Sequence, residues 1–498
     1  MPSKSVSLNS VRSNSLVWLS RMLLVVSAIF YGLCFVHLKA DFPNGSPWND
    51  WSKMTDEGWY GGAAIQHFVQ GSWYLPSSFN PAVAMPVWPV MLATWFACTG
   101  VGMVAARTLT VLLYGVSLAL LYSLVRQRRP WKDGGIWLPA IAVTLMTANP
   151  FCYAFDRLAI LEPVMVFWLM LGLWFAGRTR QQDLGRQIGI GVLLSLLVLT
   201  KSTGLFLAPA VLYHLAATMG LTRRGWIRPV LVAVATAIVI WLAYYLLMVR
   251  PHYLEDYRLL FSANQDRVHL SIIPQMAFKT LRAALWINWA LFPAALMMLL
   301  LSLFWLRELW RMPLFGSAVI ATTGYLAFIF YHGNMQPRYF LVVSMPVVIV
   351  LVLGLESLWE RNRNLGLVLG AAVALVTFGM MIQTVRYAMH PEYTLATAAE
   401  SIAAQIRGDA SAKQLLIAST AANVTLLTGI PSLCPDYTTH GLDKVFERYQ
   451  PGWYAAYEVW DDDRVNVLKK RYRLVEKARY KVFDDPTRQI LVLYRMGQ

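Results

Sequence analysis

Charge is what this sequence has least of. Only 14% of its 498 residues are Asp, Glu, Lys or Arg, against about 25% in a soluble domain. With 57% hydrophobic residues and a mean hydropathy of +0.47, that shortfall argues against a soluble enzyme. Cysteine is scarce as well. Cys34, Cys98, Cys152 and Cys434 are too few and too scattered for a disulfide framework or a zinc cluster. No internal repeat or low-complexity tract stands out. No paired broken helices of the kind that mark a transporter site are visible. Acidic residues are the rarer sign, 27 against 43 basic, for a net charge of +16. Such an excess raises a nucleic-acid partner, and the placement of the charges decides whether it stands.

What the chain has in quantity is apolar length and aromatic rings, including 20 Trp and 23 Tyr, side chains favoured at membrane interfaces. Runs of roughly 18 apolar residues read as spanning helices. They fall at about 16–38, 104–125, 136–154, 158–177, 187–203, 204–221, 229–249, 284–306, 313–331, 339–358 and 364–387. A further apolar run, 83–101, holds Pro86 and Pro89 and ends at Gly100 and Gly102. With that run lying in the interface and the N-terminus inside, every second connection is basic: Lys4 and Arg12; Arg126, Arg128, Arg129 and Lys132; Arg178, Arg180 and Arg186; Arg223, Arg224 and Arg228; Arg307 and Arg311; Arg361 and Arg363. The positive-inside rule puts these on the cytoplasmic side. Eleven spans, N-in and C-out, are therefore expected. The first span lacks a small-residue cleavage site and reads as a retained anchor. Most of the basic excess is then a topology signal, and no nucleic-acid partner is expected.

Three regions face outward in this reading: the loop 39–103, the loop 250–283 and the tail 390–498. The tail has nearly balanced charge, strand-like segments at 414–419 and 488–495, and helical segments at 392–407 and 461–470. It shows no glycine-rich phosphate loop and no triad spacing. The expected architecture is a polytopic α-helical membrane domain, 1–389, followed by a small extracytoplasmic α/β domain, 390–498.

Ionisable residues next to membrane segments are costly and mark function by default. Here they gather at the outer ends of the spans. Asp56 and Glu57 lie in TDEGWYGGAAIQHF, Arg107 opens the second span, and Asp156, Arg157 and Glu162 lie in FDRLAILEP. Lys201 lies in LTKSTG, Asp266, Arg267 and His269 in NQDRVH, and Arg338 and Tyr339 in MQPRYF. Each has a plainer reading. Thr55 reads as a helix cap with acids in the first turn. Arg107, Lys201 and Arg338 are placed to snorkel, Asp156 and Arg157 to pair with each other, and Glu162 to cap a helix before Pro163. Together they form a ring at one membrane face. A carboxylate there serves as general base to an acceptor hydroxyl. Arg and Lys hold a phosphate leaving group, and aromatics stack on sugars. That is the chemistry of transfer from a lipid-anchored phosphate donor.

The order of these motifs resembles the GT-C glycosyltransferases, in the branch holding protein O-mannosyltransferases and the lipid A aminoarabinose transferase. The matching features are Asp56, Glu57 and Tyr60 after the first span, the stretch 83–99 with Gly100 to Gly102, and Arg107. Glu162-Pro163, Thr200-Lys201 with Gly204, and Pro337-Arg338-Tyr339 follow in order. The resemblance spans roughly 16–360. It implies an inverting hexosyl or pentosyl transferase using a polyprenyl- or dolichyl-phosphate sugar. The acceptor would be a lipid, glycan or protein, and the setting the outer face of a bacterial inner membrane. Asp56 would be the base, with Glu57 beside it. Tyr60, Arg107, Arg157, Glu162, Lys201, Arg267, Arg338 and Tyr339 would contact the lipid phosphate or sugar. A divalent metal is a weaker implication, with Glu57, Glu162 and His269 as candidate ligands. Two departures bear on donor and metal. The acid and base that the aminoarabinose transferases carry before the interfacial stretch are replaced by Phe79-Asn80-Pro81. Asn264 falls near the place of their metal-binding His. The rival classes are a transporter or flippase of a lipid-linked substrate, and a scaffold with a binding tail.

Overall fold

The computed structural model describes residues 5–78, 80–127, 137–222, 224–263, 273–332, 335–436 and 441–497. Among the described residues, five helices are long and apolar enough to cross a membrane: Met103–Arg126, Arg224–His252, Pro313–His332, Pro337–Arg361 and Arg363–Gly408. The last is continuous only in composition. It breaks at His390 into Arg363–Met389 and the tail helix Thr394–Gly408. Shorter apolar helices at Val17–Leu33, Trp137–Thr147, Leu161–Ala176, Leu184–Thr200, Ser202–Thr218 and Leu291–Phe304 occupy the other runs expected to span. The run 136–154 is interrupted at Asn149, which caps Pro150–Phe155 by accepting from Phe151 N at 3.0 Å.

The helix from Leu341 to Arg361 sits at the centre. Its Val, Ile and Leu are buried on every side, as expected for a helix apolar all round. Helices Leu184–Thr200 and Ile227–Tyr244 approach closely at Gly191, where a Cβ would lie 2.5 Å from Ala233 O. Helix–helix contacts between apolar surfaces in lipid rest on such close packing. The run 83–101 forms the helix Val87–Thr99 of 13 residues. At about 1.5 Å per residue it reaches about 20 Å, short of the roughly 30 Å hydrocarbon core.

The tail carries a five-stranded sheet. Its strands are β1 (Leu416–Ala418), β2 (Ser432–Leu433), β3 (Trp453–Tyr457), β4 (Arg473–Lys481) and β5 (Ile490–Gly497), in the order β2-β1-β3-β5-β4. The first three are parallel, and β5 runs antiparallel to β3 and β4. One sheet face packs Leu416, Ala418, Trp453 and Leu491 against Thr394–Gly408. The other packs Ile417, Tyr454 and Val492 against Val445, Phe446, Val465 and Leu468. Alternate residues thus serve opposite faces, as strand geometry requires.

Candidate active site

The short helix Asp56–Tyr60 carries the acidic pair. Thr55 precedes it without a side-chain capping bond. Its hydroxyl instead donates to Asp56 Oδ1 at 3.3 Å, so the expected cap becomes a contact to the carboxylate. Asp56 and Glu57 are adjacent on the helix and project to different partners.

Glu57 meets Arg107 in a two-point pair, with Nε to Oε1 at 2.8 Å and Nη2 to Oε2 at 2.6 Å. Ala159 N also donates to Glu57 Oε1 at 2.8 Å. Arg107 Nη1 donates to Leu38 O at 2.8 Å and to Ala40 O. Both side chains are buried. This pair joins the end of the first span, the acidic helix and the turn before Leu161 into one unit. It departs from the roles expected at sequence level. Both Glu57 oxygens accept hydrogen bonds, and all three Arg107 nitrogens donate within the protein. Arg157 departs likewise. It does not pair with Asp156 but donates to Tyr153 Oη and to Val36 O and His37 O, both at 2.7 Å. Both Nη atoms are thus engaged within the protein, while its Nε is buried without a hydrogen-bond partner.

Asp56 faces a second, larger cluster. Arg338 Nη2 lies 3.0 Å from Asp56 Oδ2, and Arg338 Nη1 pairs with Asp50 Oδ1. Arg338 N donates to Asp50 Oδ2 at 2.8 Å. Arg338 Nε is 3.6 Å from Glu162 Oε1, which accepts from Lys201 Nζ at 2.6 Å. Lys201 Nζ sits 4.4 Å from the centre of the Tyr339 ring and 5.9 Å from that of Tyr60. Tyr325 Oη, next to this group, is 3.3 Å from Thr203 Oγ1. Three carboxyls and two cations are therefore buried together, drawn from the loop after the first apolar helix and from the ends of three later helices. Burial pushes the Asp56 carboxyl up to about 6, with Arg338 and Lys201 pulling it down and Asp50 and Glu162 adding to the rise. Burying so many charges adds little net stability. Their concentration at one place makes this cluster the candidate site.

Asp50 was missed at sequence level. It lies in Trp48-Asn49-Asp50, six residues before Asp56. Its side chain caps the turn Trp51–Lys53, accepting from Ser52 N at 2.8 Å, while it holds Arg338. The available signal was an acid between tryptophans in the same loop as Asp56. Arg267 and His269 lie outside the described residues. Among the described residues no group of three His, Cys, Asp or Glu is placed to hold a metal ion, and Glu57 and Glu162 are each engaged by a cation.

No protein-family model matches the chain, and no curated protein matches it in sequence. Solved structures do. The chain is similar to ArnT from Cupriavidus metallidurans in the apo state, with 15% identity and a TM-score of 0.61 over 95% of this chain and 97% of that one. It is similar to the same protein bound to undecaprenyl phosphate, with 16% identity and a TM-score of 0.62 over the same shares. The likeness runs through nearly the whole of both chains, and it shows that this integral membrane protein has the fold of ArnT.

Proposed function

We propose that this protein transfers a sugar from a polyprenyl-phosphate donor to an acceptor hydroxyl at the outer face of the membrane. The observation that carries this is the buried cluster around Asp56. A carboxylate with its pKa brought up to about 6 is ionised at neutral pH, yet more basic than an ordinary Asp. A general base works best in that range. Asp56 takes the proton of the acceptor hydroxyl as its oxygen attacks the anomeric carbon. The bond from that carbon to the phosphate oxygen breaks, and the lipid phosphate leaves with inversion. Lys201 has three N–H donors, of which Glu162 occupies one. The others, with Arg338, meet the charge growing on the leaving phosphate. Tyr60 and Tyr339 flank Lys201, and their rings suit a sugar face. Glu57 and Arg107 hold the helix that presents Asp56. Solved ArnT, bound in one structure to undecaprenyl phosphate, supports the donor class.

The test uses the whole chain in detergent with a panel of labelled polyprenyl-phosphate sugars. Release of polyprenyl phosphate that depends on an acceptor is expected from one of them, and is expected to vanish in Asp56→Asn. A transporter gives no turnover without a sealed membrane. Undiminished transfer by Asp56→Asn would overturn the reading.

A further inference from the structure

The tail contributes no side chain to the Asp50–Asp56–Glu162–Arg338–Lys201 cluster, yet it touches the helix that carries Asp56 at two points. Asn423 is buried, and both ends of its amide are used. Its Oδ1 accepts from Gly58 N at 2.6 Å, and its Nδ2 donates to Met54 O at 3.0 Å. The two backbone groups stand on either side of Asp56. Met54 itself is inserted in the tail's core, among Leu395, Ala399, Val424 and Trp453. Gly58 meets the tail backbone so closely that a Cβ there would lie 2.3 Å from Asn423 N. The loop Ser419–Asn423 leaves the carboxyl end of β1, beside β3, where the strand order reverses. In open α/β sheets that crevice is where ligands bind. Here it is filled by the protein's own acidic helix.

The preceding loop is fastened along the same side. Thr394 Oγ1 donates to Asp41 Oδ2 at 2.7 Å, and Asn49 Nδ2 to Asp485 Oδ2 at 2.9 Å. Lys53 pairs with Asp484. The Arg488 guanidinium lies against both Trp51 and Trp460, 4.3 and 3.8 Å from their ring centres, and the two rings meet edge to face at 5.2 Å. These contacts fix where the loop lies. Of these tail contacts, those of Asn423 and Met54 reach the helix itself.

We infer that the C-terminal domain is a positioning element for the reaction, and that Asn423 sets the placement of Asp56 through the backbone at Met54 and Gly58. The inference rests on the reading of Asp56 as the base. A base displaced by about 1 Å costs on the order of 10²-fold in rate, whereas substrate contacts made by Lys201 and Arg338 stay in place. The effect therefore falls on kcat rather than on the donor KM.

The experiment compares four variants of the full chain in detergent. Asn423→Ala and Gly58→Ala are expected to lower kcat by about 10²-fold, with the donor KM changed less than threefold. Asn423→Gln keeps both amide functions and is expected to recover part of the rate. Val465→Ala hollows the opposite face of the sheet and serves as the measure of destabilisation alone. It is expected to lower the melting temperature at least as much as Asn423→Ala while keeping kcat within threefold. Asn423→Ala and Gly58→Ala at full kcat would overturn the inference, as would an equal loss of kcat in Val465→Ala. Asp56→Asn, run alongside, separates the two claims. If it is inactive while Asn423→Ala is fully active, only the positioning role fails. If it is active, the reading of the base fails first.

Discussion

Asp56→Asn makes a demanding test because activity and stability should move in opposite directions. The Asp56 pKa rises from about 3.9 in an unfolded chain to about 6 in the folded one. Between those values the unfolded chain binds fewer protons than the folded one, so stability falls as pH rises through that window. Above pH 6 the ionised carboxylate costs the native state about 3 kcal/mol. Asparagine has nearly the same shape and cannot ionise, so it removes that cost. Arg338 keeps its two contacts to Asp50 but loses its pairing with Asp56, which makes 3 kcal/mol an upper bound. At pH 7.5 the variant should melt at a temperature equal to or a few degrees above that of the parent. At pH 4 the two should melt closer together. Turnover of a labelled polyprenyl-phosphate sugar should fall by about 10²- to 10⁴-fold, the usual contribution of a positioned base. Lost turnover accompanied by a lower melting temperature at pH 7.5 would refute the reasoning, because Asp56 would then be a structural carboxylate like its neighbour Glu57.

Other consequences are open to measurement. Only ionised Asp56 accepts a proton, so kcat/KM should rise about tenfold per pH unit below about 6 and level off above it; a flat profile from pH 5 to 8 contradicts the base role. Glu57→Gln and Arg107→Met should each destabilise by about 3–5 kcal/mol, since each strands a buried partner. The double variant should cost less than the two together, as read by thermal unfolding in detergent. Lys201→Met should raise the donor KM by about 10- to 100-fold, the equivalent of a charge-assisted hydrogen bond of about 1.5–3 kcal/mol. Arg488→Ala should open the contact between Trp51 and Trp460 at a cost of about 2 kcal/mol, seen as faster proteolysis of the loop 39–53.

The apolar helices were legible because lipid imposes long runs on the sequence. Two tail helices were legible too: 392–407 and 461–470 correspond to Thr394–Gly408 and Asp462–Lys469, whereas Asn423–Thr428 and Leu442–Tyr449 were not read. Strands β2, β3 and β4 were not. The first is two residues long, and the second is buried on both faces, so neither shows alternation. Within the site, residue type identified the ring of charges but not its pairing. Asp56 and Glu57 are neighbours in sequence with the same chemistry. Only the helix direction sends one to Arg107 and the other to Arg338. Asp50 was missed because its partner lies far away in sequence, at Arg338. Main-chain carbonyls left over at the end of a span, such as Val36 O and His37 O, have no sequence signature, and these claim Arg157.

Asn423-Val424-Thr425 is also an acceptor sequence for N-linked glycans. In the folded protein the Asn423 nitrogen is buried and donates to Met54 O, so a glycosylating enzyme cannot reach it. A nascent chain in a eukaryotic secretory membrane, with its tail on the lumenal side, would offer that nitrogen only until the domain closes on the helix Asp56–Tyr60. Sugar at position 423 would therefore record failed closure permanently. In such a host the modified fraction would count the molecules that never assembled their site, and slowing the folding of the tail should increase it.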